Sequence, residues 1–142
     1  MTNKHPSLFS PFMLTEKIKL RNRIVMAPMT TWSANPDGTI SEKELEFYKR
    51  RSQNVGLVIT GCTYVTPSGI GFTHEFAAYD DRFINSLEKL AAAAKSGGAP
   101  AILQVFHAGN KAIPELVPNN DVISASASSV KTGDFMKRVG QR

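Results

Sequence analysis

The chain has 142 residues, 42% of them hydrophobic and 20% charged, and a formal net charge of +5. That is the length of one ordinary domain with enough apolar residues to build a core, which argues against a disordered chain. The basic excess is modest and dispersed, and its densest run, Lys49-Arg50-Arg51, suits the solvated C-terminus of a helix, so no nucleic-acid-binding face is expected.

Residues 1–11 are polar with two prolines and read as irregular. In residues 12–20 apolar and polar side chains alternate, and Arg21-Asn22 offers a turn into the next strand. Residues 12–27 therefore read as a β-hairpin or short ribbon leading into a first core strand at 23–27. That strand must stop at Pro28, which lacks a backbone N–H and disfavours helix in the residue before it. A loop follows over 28–40, with strong turn chemistry in Asn35-Pro36-Asp37-Gly38. Ser41 and Glu44 form a capping box, flanked by Ile40 and Leu45 at staple positions, so a helix starts at 41 and ends within 52–54. Leu45 and Tyr48 mark its inward face.

Residues 56–60 are apolar without alternation, the mark of a strand buried on both faces as in parallel sheets, and 61–65 continue it. A second loop spans 66–80. Asp81 is placed to cap a second helix at about 82–95, in which Phe83, Leu87, Leu90, Ala91 and Ala94 recur at helical spacing and Gly97-Gly98 ends the run. A third core strand runs over 100–106, interrupted only by Gln104. The order is β-α-β-α-β, which implies parallel strands joined by crossover helices. Residues 107–142 show no further strand or helix and read as loop and tail within the same single domain.

In parallel α/β sheets the strands' carboxyl ends carry the ligand. Here those ends hold Pro28, Met29 and Thr30, then Gly61, Cys62 and Thr63, then Gln104 and His107. The set has few charges and several hydrogen-bonding groups, which fits a flat, neutral, partly polar ring system better than a metal or a phosphate cluster. Thr30 offers a hydroxyl, and Gln104 one acceptor and two donors from one amide. A glutamine inside an apolar strand is costly unless satisfied, so Gln104 is expected to face a ligand or a water-lined cavity rather than a core partner. Cys62 reads as a small packing residue rather than a reactive one, and His74 as an exposed loop residue. His107 fits equally a site residue or a loop histidine bonded to nearby backbone, and Trp32 either a substrate-side wall or a loop anchor. Gly69-Ile70-Gly71 is too short for a nucleotide fingerprint. No spacing suits a metal site or a nucleophilic triad. The single cysteine, Cys62, excludes an internal disulfide and fits a reducing cytoplasm. No apolar run approaches the ~20 residues of a membrane span, and no signal-peptide pattern is present.

Leu8-Phe9-Ser10-Pro11-Phe12, the run from Leu20 through Met29 to Thr30, Val55-Gly56-Leu57-Val58-Ile59 and Gln104-Val105-Phe106-His107-Ala108-Gly109 resemble, in order and spacing, the opening of the Old Yellow Enzyme family over roughly residues 8–132. The resemblance implies an α/β fold, the first β-α-β-α-β part of a (β/α)8 TIM barrel preceded by an N-terminal β-hairpin, with the barrel incomplete. It implies FMN as cofactor, NADH or NADPH as reductant, and an activated alkene of the enone type as substrate. Carried over by position, Ala27, Pro28, Met29 and Thr30 would line the flavin, with Thr30 tuning its potential through the ring carbonyl. Cys62 would touch the same ring edge, Gln104 would read the pyrimidine end, and Trp32 would sit on the substrate side. The family's substrate-anchoring and phosphate-binding residues come later than the third strand, Asn110 stands where an arginine is common, and residues 137–142 depart from the pattern.

The expectation is therefore the N-terminal portion of a flavin-dependent ene-reductase-like oxidoreductase, inactive alone, that self-associates or needs a complementing C-terminal barrel part. The alternative is a non-catalytic interaction module that uses the sheet's open edge. Another barrel enzyme acting on a phosphorylated substrate would need anion-binding glycines after these strands, and none is present.

Overall fold

The computed structural model describes residues 5–127. Two short strands, β1 (Phe12–Met13) and β2 (Lys19–Leu20), pair antiparallel at the start of the chain. The hairpin closes on itself within residues 14–18, where Leu14 N–H donates to the Ile18 carbonyl at 2.9 Å and the Thr15 hydroxyl accepts from the amides of Lys17 and Ile18. The turn expected at Arg21-Asn22 is not a hairpin turn. Asn22 is buried there; its side chain accepts from Ile24 N–H and donates to the Asn54 carbonyl, tying the hairpin's exit to a turn more than 30 residues away.

The main sheet holds β3 (Val25–Met26), β4 (Leu57–Tyr64), β5 (Phe76–Ala77) and β6 (Ala101–Phe106), every pairing parallel. β4 is central. β6 runs along one side of it, while β3 and β5 share the other side, pairing with its beginning and its end. The first core strand is thus shorter than expected, though the Ile24 carbonyl still accepts from the amides of Gly56 and Leu57. β5 lies inside the segment read as a loop; two residues without flanking periodicity gave no sign of it.

Helix α1 (Glu42–Arg51) begins at Ser41, whose hydroxyl accepts from Glu44 N–H as the capping box requires. Helix α2 (Ile84–Lys95) is preceded by a short 3₁₀ turn at Asp81–Phe83, and the residue that caps this turn is Asp80 rather than Asp81. Both helices cover one face of the sheet. Leu45 and Tyr48 of α1 and Leu90, Ala93 and Ala94 of α2 form one core with Val58, and Met26 and Ala101 pack against it. The register explains which side chains reach that core: Met26 pairs with Val58 and Val58 with Ala101, forming a row on the helix face. Val25, Leu57, Ile59 and Ile102 form the opposite row, where Val25 and Ile102 are each 44% exposed. After β6, residues 107–127 hold only 3₁₀ turns, as expected of a loop-rich tail; residues 128–142 lie outside the described ones. Among the described residues no helix is long and apolar enough to cross a membrane.

The β4–β6 register slips once. Ile59 faces Ile102, but Cys62 faces Gln104, so β4 carries one extra residue at Thr60–Gly61. Gly61 is required at this bulge because a β-carbon there would lie 2.5 Å from the Met29 carbonyl oxygen. Gly61→Ala must therefore push the segment after β3 away from β4. Overpacking of this kind costs about 1–3 kcal/mol, and a thermal melt of the variant is expected to fall by several degrees, with a melt unchanged from the parent counting against the close approach.

The loop between β4 and β5 is closed by Glu75, which is 2% exposed; one carboxylate oxygen accepts from Gly71 N–H at 2.9 Å and the other, Oε1, has no partner. Burial pushes its carboxyl up to about 7, against the lowering effect of the Gly71 and Phe72 amides. The folded chain therefore holds this proton more tightly than the unfolded chain does. Stability is greatest below the ordinary glutamate range and falls as pH rises to about 7, by roughly 2–4 kcal/mol. Glu44, also raised by burial, adds a fall of the same sign. Denaturant midpoints measured between pH 4.5 and 8 are expected to decline with pH, and Glu75→Gln is expected to flatten the decline.

Candidate functional site

The bulge decides which way β4 presents its side chains. Without it, Cys62 would share the helix face with Val58 and Thr60. With one residue added, every later side chain changes face, and Cys62 joins the row of Gln104 on the uncovered side. Cys62 Sγ lies 3.6 Å from Gln104 Oε1 and donates to it, and both residues are half-buried. The Gln104 amide N–H is taken by the Thr60 hydroxyl at 3.1 Å, so a side chain replaces the ladder bond that the bulge removes. Among the described residues the side-chain NH2 of Gln104 has no hydrogen-bond partner.

Residues 28–30 leave β3 and cross to the bulge, where the Met29 carbonyl meets Gly61. This places Pro28, Met29 and Thr30 beside the end of β4, on the side away from β6. The Thr30 and Gln104 segments thus flank β4 at the same end of the sheet. Pro28, Met29 and Ala27 are exposed and Thr30 is half-buried; the Thr30 hydroxyl has no partner among the described residues. All six residues expected to hold a ring system therefore sit on three adjacent segments of one sheet.

Trp32 stands a little further out, 43% exposed, with a backbone φ of 49°. Left-handed backbone is strained for a bulky residue and persists only where the surroundings impose it. Its ring packs edge-on against Phe72 at 5.9 Å, and Phe72 stacks on Phe106 at 6.0 Å. A row of three rings thus joins the loops after β3 and β4 to the end of β6. Gly69 and Gly71 lie directly under this row: β-carbons there would meet the rings of His107 and Phe106 at 2.9 Å each. His107 is exposed, and its Nδ1 accepts from Gly109 N–H at 3.0 Å, so that nitrogen is bonded to nearby backbone. A cavity of about 510 Å³ opens beyond it, between His107, Gly109 and Asn110 and residues 123–126. His74 is exposed as expected, yet Nδ1 bonds the Ala34 carbonyl at 2.9 Å.

Beneath the rim lie two polar side chains that sequence reasoning treated only as helix signals. Glu44 is 1% exposed and accepts from the Thr31 hydroxyl, while its Oε2 has no partner. Tyr48 is fully buried, and its hydroxyl accepts from Gly61 N–H at 2.7 Å. Burial raises the Glu44 carboxyl and pushes the Tyr48 phenol to about 12, so the phenol stays neutral. The sequence signal for both was available: a carboxylate and a hydroxyl at i and i+4 on the face that Leu45 turns inward. No cluster of metal-ligating side chains occurs among the described residues.

Comparison with known proteins assigns this geometry to a family. The profile of the NADH:flavin oxidoreductase / NADH oxidase family matches residues 7–140, reaching further along the chain than the resemblance over 8–132 had indicated. A probable NADH-dependent flavin oxidoreductase of Bacillus subtilis, YqiG, is 44% identical over 126 residues, 89% of this chain but 34% of that protein. An NADPH dehydrogenase of Geobacillus thermodenitrificans is 36% identical over 141 residues, 93% of this chain and 41% of that protein. The solved structure of the old yellow enzyme from Trypanosoma cruzi superposes with a TM-score of 0.80 at 34% identity, over 92% of this chain and 37% of that one. The chain thus spans well under half the length of these relatives. Its unclosed parallel sheet is the first part of a TIM barrel, and the chain belongs to the NADH:flavin oxidoreductase family that includes Old Yellow Enzyme.

Proposed function

We propose that the chain supplies the ring-holding part of an FMN-dependent NAD(P)H oxidoreductase of the ene-reductase type, acting on an activated alkene. FMN and NAD(P)H are the cofactors its family implies. One observation carries the reading: Thr30 and Gln104 bring donors that have no partner among the described residues to one end of the sheet, on either side of the bulge. These donors fit a neutral planar ring with carbonyl and imide edges.

When bound, FMN would carry hydride from a reduced nicotinamide to the alkene; the chain's own part is to orient the ring and set its electronics. Gln104 would hold the pyrimidine edge with its amide, kept in place by Cys62 and by the Thr60 bond to its backbone. Thr30 would donate its hydroxyl to a ring carbonyl and stabilise negative charge there. Ala27, Pro28 and Met29 would line the ring through backbone and apolar contact. Trp32, backed by Phe72, would form the substrate-side wall. The reading places the protein in the cytoplasm, with a small-molecule substrate and no nucleic acid.

A second reading rests on β6. It is an edge strand with Ile102, Leu103 and Val105 exposed, Val105 by 67%, which invites pairing with another chain. In that reading the chain is a module completed by a C-terminal barrel part. The chain alone is expected to be colourless, without NADH-driven turnover, and oligomeric by light scattering; a monodisperse monomer would contradict the open edge. Adding a complementary C-terminal barrel chain is expected to yield flavin absorbance. In that complex Thr30→Ala should lower the flavin midpoint potential and Gln104→Ala should weaken FMN roughly tenfold, the usual effect of leaving buried polar groups unpaired. A potential and an affinity both equal to the parent's would remove these two residues from the site.

A further inference from the structure

We infer that Glu44 and Tyr48 are positioning residues: from one face of α1 they fix the Met29–Thr30–Thr31 segment against the bulge at Gly61. They thereby set the spacing between the Thr30 hydroxyl and the Cys62–Gln104 pair. The consequence for FMN rests on the function proposed above; the positional claim does not.

The two residues are neighbours at i and i+4 on the helix surface. Each reaches a different strand end. The Glu44 carboxylate takes the hydroxyl of Thr31, next to Thr30, and the Tyr48 hydroxyl takes the amide of Gly61, next to Cys62. Those two segments are already in contact through the Met29 carbonyl and Gly61. A single rigid helix turn therefore holds both sides of the junction.

The Glu44 carboxylate does not earn its place by packing. A carboxylate 1% exposed with one oxygen unpartnered is destabilising, and an apolar side chain of similar size would fill the space better. What it gains is bonding to the segment after β3, first of all to the Thr31 hydroxyl. For Tyr48 the need is specific: the bulge takes Gly61 out of the ladder, and an unpaired buried amide is costly. The phenol supplies the missing acceptor, while its ring is held by edge contacts with Phe47 at 5.2 Å and Phe76 at 6.5 Å. Tyr48→Phe thus removes the bond and keeps the packing.

The test uses the full chain, isotopically labelled for amide NMR, in the parent and in Tyr48→Phe, Glu44→Leu, Glu44→Gln and Leu90→Val. The last trims the same core from α2 and controls for lost stability. Tyr48→Phe is expected to speed hydrogen exchange at Gly61 roughly tenfold and to move the amides of Thr30, Cys62 and Gln104. Glu44→Leu is expected to move Thr30 and Thr31, and Glu44→Gln, which keeps an acceptor, to restore them. Leu90→Val should move none of these. The positional claim is overturned if Tyr48→Phe and Glu44→Leu leave those amides in place, or if Leu90→Val moves them equally. Titration with FMN at millimolar concentration separates the two claims. Shifts confined to Thr30, Cys62 and Gln104 in the parent, weakened about tenfold in Tyr48→Phe and Glu44→Leu, support both. Where the parent alone shows no such shifts, the ligand-free amides still decide the role of α1, and the flavin reading is decided by the complementation with a C-terminal barrel chain described above.

Discussion

A carbonyl oxygen stands where a side chain would begin: the Met29 oxygen lies 2.5 Å from the position of a β-carbon at residue 61. Only glycine admits this approach, and the arrangement of the rim follows from it. The segment leaving β3 can lie flat against β4, so that Thr30 and Cys62 come from neighbouring stretches of backbone. The same glycine forms the bulge that turns Cys62 from the helix face to the uncovered face, beside Gln104. A regular strand would have sent the sulfur into the core among α1 and α2. Close contact and change of face are thus two results of one missing side chain.

Departing from a regular ladder leaves backbone groups without partners, and the interior polar residues are placed where those groups occur. Tyr48 accepts from the Gly61 amide, Thr60 from the Gln104 amide, and Glu75 from the Gly71 amide at the turn beneath Phe106. Asn22 does the same at the entrance, accepting from Ile24 and donating to Asn54. Each of these bonds adds only about 1 kcal/mol net, but losing the partner of a buried amide costs more than that. The polar core is therefore a record of where the sheet is irregular. Apart from the tie at Asn22, those irregularities gather toward the carboxyl end of β4, where three segments must converge at fixed spacing.

Periodicity and punctuation carried most of the fold. The run over 56–65, the N-cap at Ser41, and the helical spacing of Leu87, Leu90 and Ala94 each specify their element with local information, and all appear where expected. Gln104 stood out for a different reason: a lone amide in an apolar strand conflicts with burial, and the structure leaves it half-buried on the uncovered face beside Cys62. What was hidden depends on distance along the chain. The bulge at Thr60–Gly61 has no sequence signature of its own, because it is defined by register against β6, more than 40 residues away. β5 forms only because Thr63 and Tyr64 offer an unused side beyond the end of β3. Glu44 satisfied the capping pattern so well that its carboxylate seemed explained, although in the structure that carboxylate turns to Thr31. Asn22 looked like turn chemistry and is instead a long-range tie.

The two faces of the sheet are finished to different degrees, and this bears on how such a site assembles. Over β4 the helix face is closed: Val58, Tyr48, Leu90 and Ala94 are almost wholly buried. The opposite face leaves Val25 and Ile102 open, the side that becomes the interior of a barrel in relatives more than twice as long. Yet the contacts that set the backbone around Thr30, Cys62 and Gln104 come from within the sheet and from the helix face, and the open side adds the bond between the Cys62 and Gln104 side chains themselves. The Met29–Gly61 approach, the bonds from α1 and the Thr60–Gln104 bond all lie within residues 29–104. The donor groups at the rim are thus arranged within the sheet and by the helix face, and the apolar interior is a separate requirement that further strands must meet. Preorganising the donors in this way places the entropic cost of aligning three segments on folding rather than on binding.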